Sequence, residues 1–250
     1  MQKDPTPAEL EKMIVERLQR FWDLSQSRDP RDGTKLEDLN KEIKELLRRN
    51  GTRKEVLEYG FPGLSKEMAV ATSPDGKLRF YSWDDMSGGT MRFHEKVVQF
   101  VGSDGKVRVI VEDPDRSKGG QPFFHQIFQM EVKDGPLYFG NFTMIASTSL
   151  NAQAIEAMKI DGNKLKREVK VFETEEGLSG ELWIEYDFFT VVDRKERPIR
   201  LFEFDPETKT LRHPYIDEEI EGHPGQGKVT DKWVTYKFTD GRFRKVDKEN

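Results

Sequence analysis

The sequence predicts an α+β protein: an N-terminal helical hairpin packed on a large antiparallel β-meander, with a partial or small β-propeller as the alternative way of arranging the strands. Three observations carry this. Apolar residues recur at three- and four-residue steps through the first sixty positions, and the period changes to two from Met68 onward. Asp-Gly dipeptides then punctuate the chain, the first four of them roughly thirty residues apart. The expected division is a helical segment over 1–62 and a β-hairpin domain over 63–250.

The helices come first. In TPAELEKMIVERLQRFWDL, Thr6 and Glu9 form a capping box, Pro7 suits the first helical position, and Leu10, Met13, Ile14, Leu18, Phe21 and Trp22 form one stripe. TKLEDLNKEIKELLRRNG repeats the logic, with Thr34 and Glu37 as the box, Leu36, Leu39, Ile43, Leu46 and Leu47 as the stripe, and Gly51 as the stop. A third box, Thr52 with Glu55, predicts a short helix ending by Gly60. Such stripes face a core or, as a second use, pair two copies of the chain into a homo-oligomer.

The strands follow. Leu78, Phe80 and Ser82 alternate with Arg79, Tyr81 and Trp83, and Val107, Val109 and Val111 alternate with Arg108, Ile110 and Glu112. The pattern continues around Ile199–Phe204 and Trp233–Phe238. Asp75-Gly76, Asp104-Gly105, Asp134-Gly135, Asp161-Gly162 and Asp240-Gly241 supply tight turns, and Asp205-Pro206 a corner. NAQAIEAMKI suits either state; the Asp161-Gly162 turn that follows favours a strand.

Composition narrows the function. Only 35% of residues are hydrophobic and 35% are charged, a shortage of apolar residues that 17 Phe partly offset. The 41 basic and 46 acidic residues are interspersed, so nucleic acid is not an expected partner. No apolar run is long enough to span a bilayer, and with no cysteine there is no disulfide, thiol nucleophile or Cys-ligated zinc. The start, MQKDPTPAEL, is polar and lacks the apolar stretch of a signal peptide, which implies a cytoplasmic protein or one whose leader has been removed.

SPDGKLRFYSWD resembles the blade hairpins of bacterial propeller repeats that carry Ser-Pro-Asp-Gly-Lys before a strand. Taken with GGTM and with YDFFTVVDRKERPIRLFEFDPETK, residues 186–209, the chain from 68 to 246 is similar to a group of uncharacterised, typically exported bacterial proteins. That resemblance implies a periplasmic or extracellular setting, associated with the cell envelope, and no known activity.

Two candidate sites emerge. The first surrounds the DDMSGGTMRFH loop: Tyr81 and Trp83 as exposed aromatic contacts, with Asp84, Asp85 and His94 as polar ligand contacts. Gly88-Gly89-Thr90 lacks the Gly-Lys-Ser/Thr ending of a phosphate loop, and the aspartates stand in no ligand pattern with His94, so neither a metal nor a cofactor is expected. The second is ELWIEYDFF, where Trp183, Glu185, Asp187 and Phe189 share a strand face, the carboxylates about 6.6 Å apart along the chain. That spacing is compatible with the acid pair of a glycoside hydrolase. Asp113, Asp115 and Ser117 resemble a calcium loop only in part, because the glycine comes one place late and Phe124 stands where the bidentate Glu belongs. His213 and His223, each before a proline, read as a mobile loop. The leading expectation is a non-catalytic binding or scaffolding protein for a partner protein or glycan. The alternative is a carbohydrate-active hydrolase using Glu185 and Asp187.

Overall fold

The computed structural model describes residues 3–27, 29, 32–113, 116, 119–218 and 227–246. It has an α+β fold with a helical N-terminus and a body of antiparallel sheets. Helix α1 (Pro7–Ser25) begins at the predicted box: the Glu9 N–H donates to Thr6 Oγ1, and the Thr6 N–H donates back to Glu9 Oε2. Helix α2 (Asp32–Asn50) begins two residues before Thr34, which therefore lies in the first turn and not at the cap. The short α3 (Lys54–Glu58) has Arg53 at its N-cap with no side-chain cap bond, so the Thr52 box does not form.

The strands are divided among three sheets. Sheet I is a meander of β1 (Ala69–Thr72), β2 (Leu78–Asp84), β3 (His94–Val101) and β4 (Val107–Glu112). Sheet II has the order β11-β7-β6-β5, built from β5 (Phe123–Val132), β6 (Gly135–Ile145), β7 (Leu150–Asp161) and β11 (Glu181–Asp187), with β8 (Lys164–Lys166) beside the end of β7. Sheet III has the order β10-β9-β15-β14-β13-β12: β9 (Phe172–Thr174), β10 (Gly177–Ser179), β12 (Glu203–Asp205), β13 (Thr210–Asp217), β14 (Lys228–Thr239) and β15 (Arg242–Lys245). NAQAIEAMKI is strand, inside β7. Among the described residues all strand pairings are antiparallel except β15 with β9, which meet at Phe243 and Phe172. Gly76, at φ +71°, turns β1 into β2, and Asp240 and Gly241, both at positive φ, make the last hairpin.

The sheets stack face to face under the helices, giving four layers and three apolar seams. Leu10, Ile14, Leu18, Ile43, Leu47 and Val56 pack on Tyr81, Trp83 and Val97 of sheet I. The other face of sheet I, with Leu78, Phe80, Val98 and Phe100, meets Phe124, Tyr138, Phe142 and Met158 of sheet II. The far side of sheet II packs through Phe139, Ile155 and Ile184 on Phe172, Leu211 and Phe243, with Val191, Ile199, Leu201 and Phe202 filling between. This is an open stack, not a ring of blades.

The stack explains why β2 is buried on both faces: the helices cover one side and sheet II the other. The helical stripe faces a core inside the chain, the first of its two expected uses, with Trp22 left 56% exposed. Segments 1–62 and 63–250 therefore share a core. Gly51 does more than stop α2. A Cβ there would lie 2.8 Å from Val109 Cγ2, and its carbonyl accepts from Gln99 Nε2 at 2.6 Å, so the helix end sits directly on sheet I.

Candidate functional site

The loop from Asp84 to Phe93 is a built structure. Asp84 Oδ1 accepts the Met86 N–H and Asp85 Oδ1 accepts the Ser87 N–H, each at 2.8 Å, giving two overlapping Asx turns. Their remaining oxygens meet guanidinium groups: Asp84 that of Arg92 at 3.3 Å, Asp85 that of Arg116 at 2.6 Å. Arg116 also lies over the Phe93 ring, 5.3 Å from its centre. Backbone bonds from the Arg92 N–H to Ile145 O and from the Gln121 N–H to Arg92 O fasten the loop to sheet II. Gly88 allows the fold-back, since a Cβ would fall 2.0 Å from Met91 O.

His94 opens β3, directly opposite Asp84. Its Nδ1 is 2.8 Å from Gln121 O, and a carbonyl can only accept, so Nδ1 carries the proton and Nε2 keeps its lone pair. Burial lowers the His94 pKa, opposed by the Gln121 bond and by Asp84 and Asp85, and the imidazole is neutral at pH 7. The Phe123 ring lies 4.8 Å from it. Together with Trp83, Asp84, Arg197 and Pro198, His94 and Phe123 line a cleft of about 360 Å³ that opens beside the short 3₁₀ turn Leu64–Lys66. Arg197 does not aim its charge into this space: its guanidinium donates to the carbonyls of Val192, Arg194 and Glu196 in its own loop.

Asp84, His94 and Trp83 thus lie side by side at the cleft. Asp85 is 3% exposed and braces the loop from behind. The aromatic pair needs correction. Tyr81 is fully buried with its hydroxyl on Gln99 Oε1 at 2.5 Å, and Trp83 is 3% exposed with its Nε1–H donated to Asn40 Oδ1 at 2.8 Å. Both face the helical cover, so neither is a surface contact.

The second candidate pair is not assembled as an acid and a base. Glu185 is exposed, as alternation predicts, but Asp187 ends the strand, is buried, and caps the 3₁₀ turn Phe188–Thr190 by accepting the Phe189 N–H at 3.0 Å. On this strand the carboxyl whose pKa is raised is Glu181, mainly by burial; it accepts the Trp183 indole N–H at 2.7 Å.

Among the described residues no group of three or more His, Asp or Glu could hold a metal ion. Asp115, Ser117 and His223 lie outside the described residues. His213 is not in a loop: it is a β13 residue with its ring between Phe202 and Tyr236.

Sequence reasoning missed His125. Its Nε2 lies 3.1 Å from Thr143 Oγ1, while burial, aided by the charge of Arg200, pushes its pKa down to about 3. The bulge between Phe124 and Gln126 re-aims it, and Phe123 sits between the two imidazoles, 5.8 Å from this one. Gln153 was also missed. It straps the segment covering sheet II, donating to Ile199 O at 2.7 Å and accepting the Leu201 N–H at 3.0 Å.

Comparison with protein-family models, curated proteins and solved structures finds no match for this chain.

Proposed function

We propose that this is a non-catalytic binding protein that holds one or two terminal sugar units of a glycan in the cleft beside His94. The observation that carries the reading is His94 itself: a neutral imidazole with Nδ1 committed to Gln121 and Nε2 left to accept from a ligand hydroxyl, next to the apolar Phe123 ring. The loop charges pair with one another, Asp84 with Arg92 and Asp85 with Arg116, and Lys66 and Glu67 at the cleft are of opposite sign, which favours a neutral ligand. The volume suits a small molecule, since ligand pockets span roughly 300–1,000 Å³. The periplasmic or extracellular setting implied by the resemblance is one in which glycans are met.

A glycan array followed by calorimetric titration tests the reading. A hit among neutral glycans is expected, with at least tenfold weaker binding for His94→Ala and no release of reducing ends on long incubation. Affinity should hold at neutral pH and fall on acidification, with a midpoint below the ordinary histidine value of about 6.5, because protonation removes the acceptor. Binding that is indifferent to His94→Ala, an array with no hit, or accumulating reducing ends would each overturn it.

A further inference from the structure

The chain from Gly177 to Asp187 borders two sheets in succession: β10 is the outer strand of sheet III and β11 the outer strand of sheet II. Gly180 joins them pressed against the Glu168 backbone, where any Cβ would lie 2.4 Å away. The hydrogen-bond pattern shows which groups of β11 face outward. The Phe188 N–H donates to Ser149 O and Gly180 O accepts from the Ala157 N–H, so even-numbered positions pair inward with β7. Odd-numbered positions turn away, as the Asp187 N–H on Gly227 O and the Glu181 N–H on Ser179 Oγ confirm. Gly227 covers the carbonyl of Glu185. The N–H and C=O of Trp183 and the N–H of Glu185 also point outward, and among the described residues they have no partner.

Trp183 borders a groove of about 1130 Å³, with Glu185 two residues further along the same edge. The Trp183 side chain, 42% exposed, and that of Leu178 stand at its rim. Its charge is one-sided. Glu175, Glu176 and Glu218 line it with Lys245 to oppose them, since Arg244 is held by Glu173 at 3.1 Å. A second copy of the chain would bring the same glutamates to the contact and be repelled.

We propose that this border is a strand-addition site for an extended, basic segment of a partner protein. The peptide backbone pairs with Trp183 and Glu185, alternate Lys or Arg side chains enter the acidic groove, and an apolar residue rests on Trp183. This proposal is independent of the cleft.

The test is fluorescence anisotropy of the whole protein with a labelled ten-residue peptide of alternating Lys and Val. Saturable binding that weakens with added salt is expected, with at least a tenfold loss for a peptide carrying Glu in place of Lys and for one N-methylated at alternate amides. Glu175→Lys/Glu176→Lys, at an exposed turn, should weaken binding at least tenfold with the melting temperature unchanged, and amide shifts in an NMR titration should centre on Trp183 and Glu185. Equal binding of the Glu peptide, indifference to N-methylation, shifts centred elsewhere, or no binding would overturn the proposal. So would concentration-dependent self-association lost on Trp183→Ala, which would give the border to a second copy.

Discussion

His125 makes the protein sensitive to acid. Its folded pKa of about 3 lies below the unfolded value of about 6.5, so the unfolded chain binds more protons between those limits. Stability is therefore complete above pH 6.5 and falls as the pH drops toward 3, by about 4 kcal/mol from this group. Urea titrations at stepped pH should show that slope, and His125→Gln should flatten it. The carboxylates of β11 give a second check. Asp187→Ala should lose about 1 kcal/mol, the worth of a cap, whereas Glu185→Gln should leave the urea midpoint unchanged. At this scale the sequence was only half legible. Alternation showed that Tyr81 and Trp83 share a face, and the polar loop marked Asp84 and His94. It could not show which face water reaches, because that depends on helices twenty or more residues upstream. Asp187 fits the alternation as well as Glu185 does, and only the end of the strand separates their roles.

Between elements, a partly buried ionic bridge ties sheet I to sheet II. Arg167, just past β8, bonds Glu156 of β7 through two nitrogens and reaches Glu112 of β4 at 2.5 Å, while Lys96 of β3 holds Glu112 at 3.2 Å. The guanidinium also lies 5.2 and 5.3 Å from the centres of the Phe80 and Phe124 rings, which stack on each other at 4.2 Å. Arg167→Met should cost about 3–5 kcal/mol in chemical denaturation, because it leaves two carboxylates facing each other in the seam. Adding Glu112→Gln and Glu156→Gln should restore most of that loss, whereas a variant that stays equally weak would mean the rings and not the charges set the cost. The same scale shows why one capping box formed and two did not. At Thr6 the reciprocal bonds with Glu9 decide the start of α1. Thr34 lies inside α2 and Thr52 just before α3, and the course of both helices is fixed by Ile43, Leu47 and Val56 docking on sheet I.

For the whole molecule, the helices are the outer wall of the first seam. Removing residues 1–62 would bare Tyr81, Trp83 and Val97, at about 1.5–3 kcal/mol each, a total comparable to the roughly 5–15 kcal/mol that holds a domain together. The shortened protein should therefore lose its cooperative thermal transition and form large species in size-exclusion chromatography. A monomer with an unchanged melting temperature would mean that the cover is dispensable. Hairpin order was legible, because each Asp-Gly turn is a local instruction. The stacking was not, nor was the pairing of Phe243 with Phe172 inside sheet III, about which neither neighbourhood carries a signal. That late parallel pairing has a consequence for biosynthesis. Translation at about 5–20 residues per second delivers β15 roughly 4–14 s after β9. Throughout that interval the nascent polypeptide carries Phe172 without its final neighbour, which makes this the window in which a ribosome-associated chaperone has most to shield.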